Sequence, residues 1–120
     1  MRIQTKRVYE PFDRADGQRV LVDRLWPRGL SKAVARIDYW AKDTAPSTSL
    51  RRWYGHDPAK WKEFRRRYFA ELDGNVAGVA ALRQHLARGK VTFLYGSKEQ
   101  RLNDATALRE YLARKSQRRP

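Results

Sequence analysis

The sequence predicts an α/β fold, a small, mainly parallel sheet of about three strands covered by helices. Two short runs rich in β-branched and aromatic residues, Val20-Leu21-Val22 and Val91-Thr92-Phe93-Leu94-Tyr95, have the composition of strands buried on both faces. Several amphipathic helical stretches separate them, so the order is strand, strand, helices, strand, helix, which suits a covered sheet better than a bundle or a barrel. A length of 120 residues, 41% of them hydrophobic, suits one compact domain over 1–120, with a short basic tail from about residue 114.

Arg2 to Glu10 alternates apolar and polar residues through Ile3, Thr5 and, after a slip, Val8 and Tyr9, and reads as the first strand. Pro11 ends it, and Asp13, Asp16 and Gly17 form a loop to the strand at Val20. That loop is long for a tight hairpin and short for a helical crossover, so strand 3–9 has both orientations open against strand 19–25. Trp26-Pro27 stops the second strand because proline has no backbone donor and restricts its predecessor. Ser31 caps a short helix to about Ile37. Tyr39 and Trp40 look buried, and a loop through Ala45-Pro46-Ser47 leads to another helical turn starting at Ser47 or Thr48 and ending at Gly55. Asp57-Pro58 starts the next helix, with Trp61, Phe64, Tyr68 and Leu72 on one core stripe. After the turn Asp73-Gly74-Asn75, Val79, Leu82 and Leu86 mark a helix that Gly89 ends in the position favoured for a left-handed cap. The strand from Lys90 to Tyr95 follows, and a last helix starts near Asn103 or Asp104 with Ala105, Leu108 and Leu112 inward.

A formal charge of +14 and the absence of cysteine narrow the chemistry. The charge draws the protein toward anionic small molecules or polyanions, while the missing cysteine excludes disulfides, thiolate nucleophiles and cysteine-ligated zinc. No apolar run reaches membrane-spanning length, and the charged start from Met1 to Glu10 is unlike a signal peptide, so the chain is expected to be cytoplasmic. His56 with Asp57 lacks the spaced partners of a zinc site, and no metal or cofactor is expected. No phosphate-loop glycine pattern, nucleophile elbow or dinucleotide fingerprint occurs.

If the strands at Val20 and Val91 are parallel neighbours, their carboxyl ends meet at one crevice, the usual ligand position of open α/β sheets. One loop then supplies Asp23, Arg24, Trp26, Arg28 and Lys32, and the other supplies Ser97, Lys98 and the amides near Asn103. Arg24 and Arg28 are candidate bidentate clamps for phosphate or carboxylate, and the helix start after Ser31 adds free amides. An enzymatic reading uses Asp23 as base or ion-pair partner and His56 as proton carrier, without a motif to support it.

Along nearly its whole length the chain resembles the YeaO-like group of the family called domain of unknown function 488. The resemblance is carried by Lys6-Arg7-Val8-Tyr9, Val22-Asp23-Arg24-Leu25-Trp26-Pro27-Arg28-Gly29, Ala45-Pro46-Ser47 and Leu50-Arg51 with Trp53. It continues through Gly55-His56-Asp57-Pro58, Trp61, Phe64, Tyr68, Glu71-Leu72, Val91-Thr92 and Leu94-Tyr95. It implies a small α/β fold and no particular activity. Longer members of the wider family carry cysteine and histidine after the strand matching Val91 to Tyr95, whereas Gly96 to Asn103 has neither, so the resemblance does not extend to chemistry performed by those residues.

The leading expectation is an anionic ligand, bearing phosphate or carboxylate, bound among Arg24, Trp26, Arg28, Lys32, Ser97, Lys98 and Asn103. The alternative is nucleic-acid binding through Lys60, Lys62, Arg65, Arg66 and Arg67 on the third helix and Arg114, Lys115, Arg118 and Arg119 in the tail. Consecutive helical residues point about 100° apart, so the helix run does not form one basic face.

Overall fold

A computed structural model of the protein describes residues 2–117, with side chains through 114. Arg118 and Arg119, and the side chain of Lys115, lie outside the described residues. Four parallel strands form one sheet: β1 (Ile3–Arg7), β2 (Gln18–Leu21), β3 (Tyr39–Trp40) and β4 (Val91–Tyr95), in the order β1-β4-β2-β3. Five helices accompany them: α1 (Lys32–Ala35), α2 (Thr48–Tyr54), α3 (Trp61–Asp73), α4 (Val76–Leu86) and α5 (Asp104–Gln117). None of the described helices is long and apolar enough to cross a membrane.

The apolar run of β2 is two-sided because it is covered on both faces. Val20 and Val22 join Val91, Phe93 and Tyr95 in a large core against Leu50, Phe64, Tyr68, Leu82, Leu108 and Leu112 of α2 to α5. Leu21 and Leu94 point the other way, into a smaller cluster with Val8, Trp26, Leu30, Ile37 and Trp40. Alternation along each strand therefore feeds two cores at once.

The orientation left open by the sequence is resolved by β4, which lies between β1 and β2 and is parallel to both. Ile3 pairs with Val91 and Arg7 with Tyr95 on one side, while Gln18 pairs with Val91 and Leu21 with Leu94 on the other. The loop 8–17 returns across the sheet without a helix, since ten extended residues reach roughly 33 Å, more than a short strand and two strand spacings require. Its end is tightly placed. Gly17 has φ +67°, and a Cβ there would lie 2.4 Å from the Lys90 carbonyl oxygen, which accepts from the Gln18 amide at 3.0 Å. Strand β3 is a fourth strand beyond the three expected, held where the Ala41 amide donates to Leu21 at 2.8 Å.

The predicted caps form. The Ser31 hydroxyl accepts from the Val34 amide, that of Ser47 from Leu50, and the Asp57 carboxylate from Ala59, with Pro58 in the first turn. Helix α1 is shorter than expected because Arg36 turns left-handed at φ +50° and offers its carbonyl to buried Arg19. Helix α4 ends through right-handed Ala87 instead of a left-handed glycine cap, and Gly89, at φ +134°, serves the turn into β4.

Candidate functional site

The carboxyl ends of β2 and β4 open into a cleft of about 410 Å³. The segment after β2 brings Asp23, Arg24 and Arg28 to it; the segment after β4 brings Gly96, Ser97, Asn103 and Asp104; α2 and its end bring Arg51, Tyr54 and His56. The expected meeting of the two polar loops therefore occurs, at the strand ends where parallel sheets accommodate ligands.

Each charged group is placed differently. The Asp23 carboxylate accepts from the Gly96 amide at 2.8 Å, tying the two loops together, and a Cβ on Gly96 would sit 3.2 Å from that carboxylate oxygen. The Arg24 guanidinium is largely committed to the fold, donating to the carbonyls of Pro46 at 2.9 Å and Ala45 at 3.1 Å. Glu71 holds the same segment from α3, accepting from the Ser47 amide and hydroxyl. Arg28 is exposed, and its guanidinium has no partner among the described residues. The same holds for Arg51, whose position on the first turns of α2 follows from the Ser47 cap. These two cations face the cleft with their hydrogen-bonding capacity unspent.

Asp104, the first residue of α5, lines the cleft together with Asp23. Burial, then the charge of Asp23 and a hydrogen bond to its carboxyl, hold Asp104 well above the usual carboxylate range, against the opposing pull of its own amide and that of Ala105. Tyr54 donates to the Leu102 carbonyl at 2.7 Å, and burial, with the charges of Glu99 and Asp57, pushes its phenol up to about 12. Buried Tyr68 behind it is also raised, by burial first and then by Asp104, Glu71 and Asp23, so both phenols are neutral donors.

His56 sits at φ +58°, a left-handed conformation uncommon outside glycine, which aims its ring at the cleft mouth with Nδ1 3.4 Å from the Ser97 hydroxyl. Ser97 also accepts from the Glu99 amide at 3.0 Å. Asn103 is 3% exposed and caps α5, its Oδ1 accepting from the Thr106 amide and its Nδ2 donating to Glu99.

Three expected ligand residues do not line the cleft. Trp26 turns into the smaller core, meeting Trp40 edge-on at 5.5 Å and donating to the Leu30 carbonyl at 2.6 Å. An aromatic ring beside Pro27 gains more from that burial than from solvent. Lys32 is exposed on α1, and Lys98 is exposed in the loop after β4, outside the cleft wall. Conversely, Arg51 and Asp104 join the site although the sequence presents them only as a helix-flanking charge and a helix start.

The basic run of α3 is mostly paired. Arg65 meets Glu110 at 2.7 Å, Arg66 and Arg67 both hold Glu63, and Lys60 donates to the Trp53 carbonyl. Lys62, Arg65, Arg66 and Arg114 border a second, shallow groove beside Phe69. Among the described residues no group of three or more histidines, cysteines or carboxylates is placed to hold a metal.

A family model described as the inactive DUF488-N3 subclade matches residues 2–120. The chain is 43% identical to an uncharacterised protein of Mycobacterium tuberculosis strain H37Rv over 111 residues, covering 92% of this chain and 93% of that one. It is 39% identical to the uncharacterised protein YeaO of Escherichia coli strain K12 over 112 residues, 93% of this chain and 97% of the relative. No solved structure matches the chain.

Proposed function

The chain belongs to the inactive DUF488-N3 subclade, and from that premise we propose that it is a cytoplasmic binding protein that holds an anionic small molecule, bearing phosphate or carboxylate, at the carboxyl ends of its strands. One observation carries the reading: Arg28 and Arg51 border a cleft of about 410 Å³ with guanidinium groups that no described residue engages. A planar, permanently charged fork is the side chain suited to such oxygen groups, and the volume lies within the range of small-molecule sites. Arg24 and Asn103 serve beneath them as the frame, one holding Ala45-Pro46 and the other capping α5. The description of the subclade as inactive accords with binding without turnover, and Ser97 with His56 then contribute hydrogen bonds at the mouth.

The test is calorimetric titration with inorganic phosphate, simple phosphate esters and dicarboxylates. Arg28→Ala and Arg51→Ala should each weaken binding about ten-fold or more, as expected for losing a charge-assisted contact, while Arg66→Ala on α3 changes it little. Equal losses in all three variants would reduce the effect to overall charge and remove the cleft from the explanation.

The nucleic-acid alternative draws support from the groove bordered by Lys62, Arg65, Arg66 and Arg114, where Arg114 lies 5.5 Å from the ring centre of Phe69. A basic groove with an aromatic ring is the usual platform for single-stranded nucleic acid.

A further inference from the structure

The loop after β2 presents a leucine to the cleft, where a purely ionic site has no use for one. Three aromatic side chains pin this loop: Trp40 donates to the Asp23 carbonyl at 2.7 Å, Trp26 to the Leu30 carbonyl at 2.6 Å, and Tyr9 to the Arg28 carbonyl at 2.8 Å. Trp26 packs into the smaller core and Pro27 is buried, which leaves Leu25 and Arg28 on the outside, both on the cleft wall. Leu25 belongs to neither core and is 57% exposed. A single exposed leucine is common on a protein surface. This one has company, because Pro46, Tyr54 and Phe64, all buried, add apolar surface to the same cleft, with Tyr54 stacked on Phe64 at 4.3 Å between ring centres. A small hydrophilic anion meets Arg28 and Arg51 but leaves this surface wet. A ligand whose body covers Leu25 gains in proportion to the apolar area it removes from water.

We propose that the cleft takes an amphipathic anion, with its phosphate or carboxylate at Arg28 and Arg51 and a compact, ring-sized apolar body packed on Leu25. This rests on the anion-binding reading above and adds the part of the ligand that distinguishes it from a simple ion. Small-molecule sites combine a mostly apolar lining with a few placed polar groups, and about 410 Å³ accommodates such a body beside its anionic head. One loop carries both contacts. Leu25 and Arg28 lie between the pins at Asp23 and Leu30, so the backbone fixes how far the apolar contact stands from the charge. The exposed leucine adds nothing to either core, so a polar residue in its place spares the fold and tests the contact alone.

Methyl phosphate and phenyl phosphate carry the same head on different bodies, and at about pH 8 both are dianions, because the second ionisation of a phosphate monoester lies near about 6. Titration calorimetry at two temperatures measures their affinities and heat-capacity changes. The native protein should bind phenyl phosphate about ten-fold or more tightly than methyl phosphate, with a more negative heat-capacity change, the mark of apolar burial. Leu25→Ser should cut that preference by about three-fold or more, and Leu25→Met, which keeps an apolar contact, should preserve it. Arg51→Ala should weaken both esters together and leave the preference standing. Equal affinities for the two esters in the native protein, or a preference that Leu25→Ser leaves unaltered, would overturn the apolar contact while leaving anion binding in place. Failure of the native protein to bind either ester at millimolar concentration would overturn the anion reading and this inference with it.

Discussion

Asp16 and Arg19 show how a single ion pair can decide the stability of this chain. Arg19 is 1% exposed and Asp16 2% exposed, an unusual depth for charges. The cost is offset because every arm of Arg19 is engaged: Asp16 at 2.5 Å, the Ala35 carbonyl at 2.9 Å and the Arg36 carbonyl at 3.0 Å. Burial alone would raise the Asp16 carboxyl, but hydrogen bonds from Lys6, the Asp13 amide and Arg19 outweigh it and hold the group below its ordinary value of 3.8. Asp16→Asn leaves the guanidinium buried without a counter-charge and should cost about 3–5 kcal/mol at neutral pH. The sign with pH follows from the depressed folded value. The native carboxylate contributes its full stability above about 3.8 and loses it as the pH falls through the folded value, so the gap between native protein and variant should narrow below about pH 4. Urea unfolding at neutral pH and at successively lower pH measures this gap, and a constant gap would show that Asp16 acts only through hydrogen-bond geometry.

Helix α3 concentrates the chain's densest run of cations, yet one carboxylate restrains two of them. Hydrogen bonds from Arg66 and Arg67 outweigh desolvation and take Glu63 down to about 2, so it is ionised at any working pH. Glu63→Gln should release both guanidinium groups toward solvent and steepen the salt dependence of single-stranded DNA binding by about 0.7 log units for each additional phosphate that the helix engages. Fluorescence anisotropy across a salt series reads that slope, and an unchanged slope would remove the α3 face from the nucleic-acid alternative. The same helix illustrates what a sequence conveys at this scale. Its core stripe and the caps at Ser31, Ser47 and Asp57 are encoded within a few residues, so they are legible. The place of β4 between β1 and β2 is encoded only in pairings distant along the chain, and β3 has two residues, too few for a period. In the cleft, Asp23, Arg24, Arg28, His56, Ser97 and Asn103 are legible as polar groups at strand and helix ends. Arg51 and Asp104 are not, because local signals cannot tell a helix-flanking charge from one that faces a distant loop. Trp26 misleads for a related reason: its loop does lie at the strand end, but the second, smaller core that claims the ring leaves no trace in any periodicity.

Over the whole molecule, a charge of +14 on 120 residues sets a repulsion that the local pairs only partly relieve. The exposed pairs, Glu63 with Arg66 and Arg67, and the half-exposed Arg65–Glu110 pair, contribute little and weaken with salt. Buried Asp16 and Arg19 are screened far less. Added salt therefore removes a little attraction from a few surface pairs and much of the repulsion among all the unpaired cations. The second effect should win. Raising sodium chloride from about 0.01 M to about 0.5 M contracts the Debye length from roughly 30 Å to a few ångströms. If this relieves about 1 kcal/mol of repulsion, the melting temperature rises by roughly 4 °C. Calorimetric melts across that range measure it in the native protein. The same series on the Arg28→Ala, Arg51→Ala double variant separates general screening from an anion held in the cleft: a similar rise in both proteins marks diffuse repulsion, while a rise confined to the native chain marks chloride bound at these two arginines. A fall in melting temperature with salt would mean that the surface pairs outweigh the excess charge, and that the net charge is not a destabilising influence on this fold.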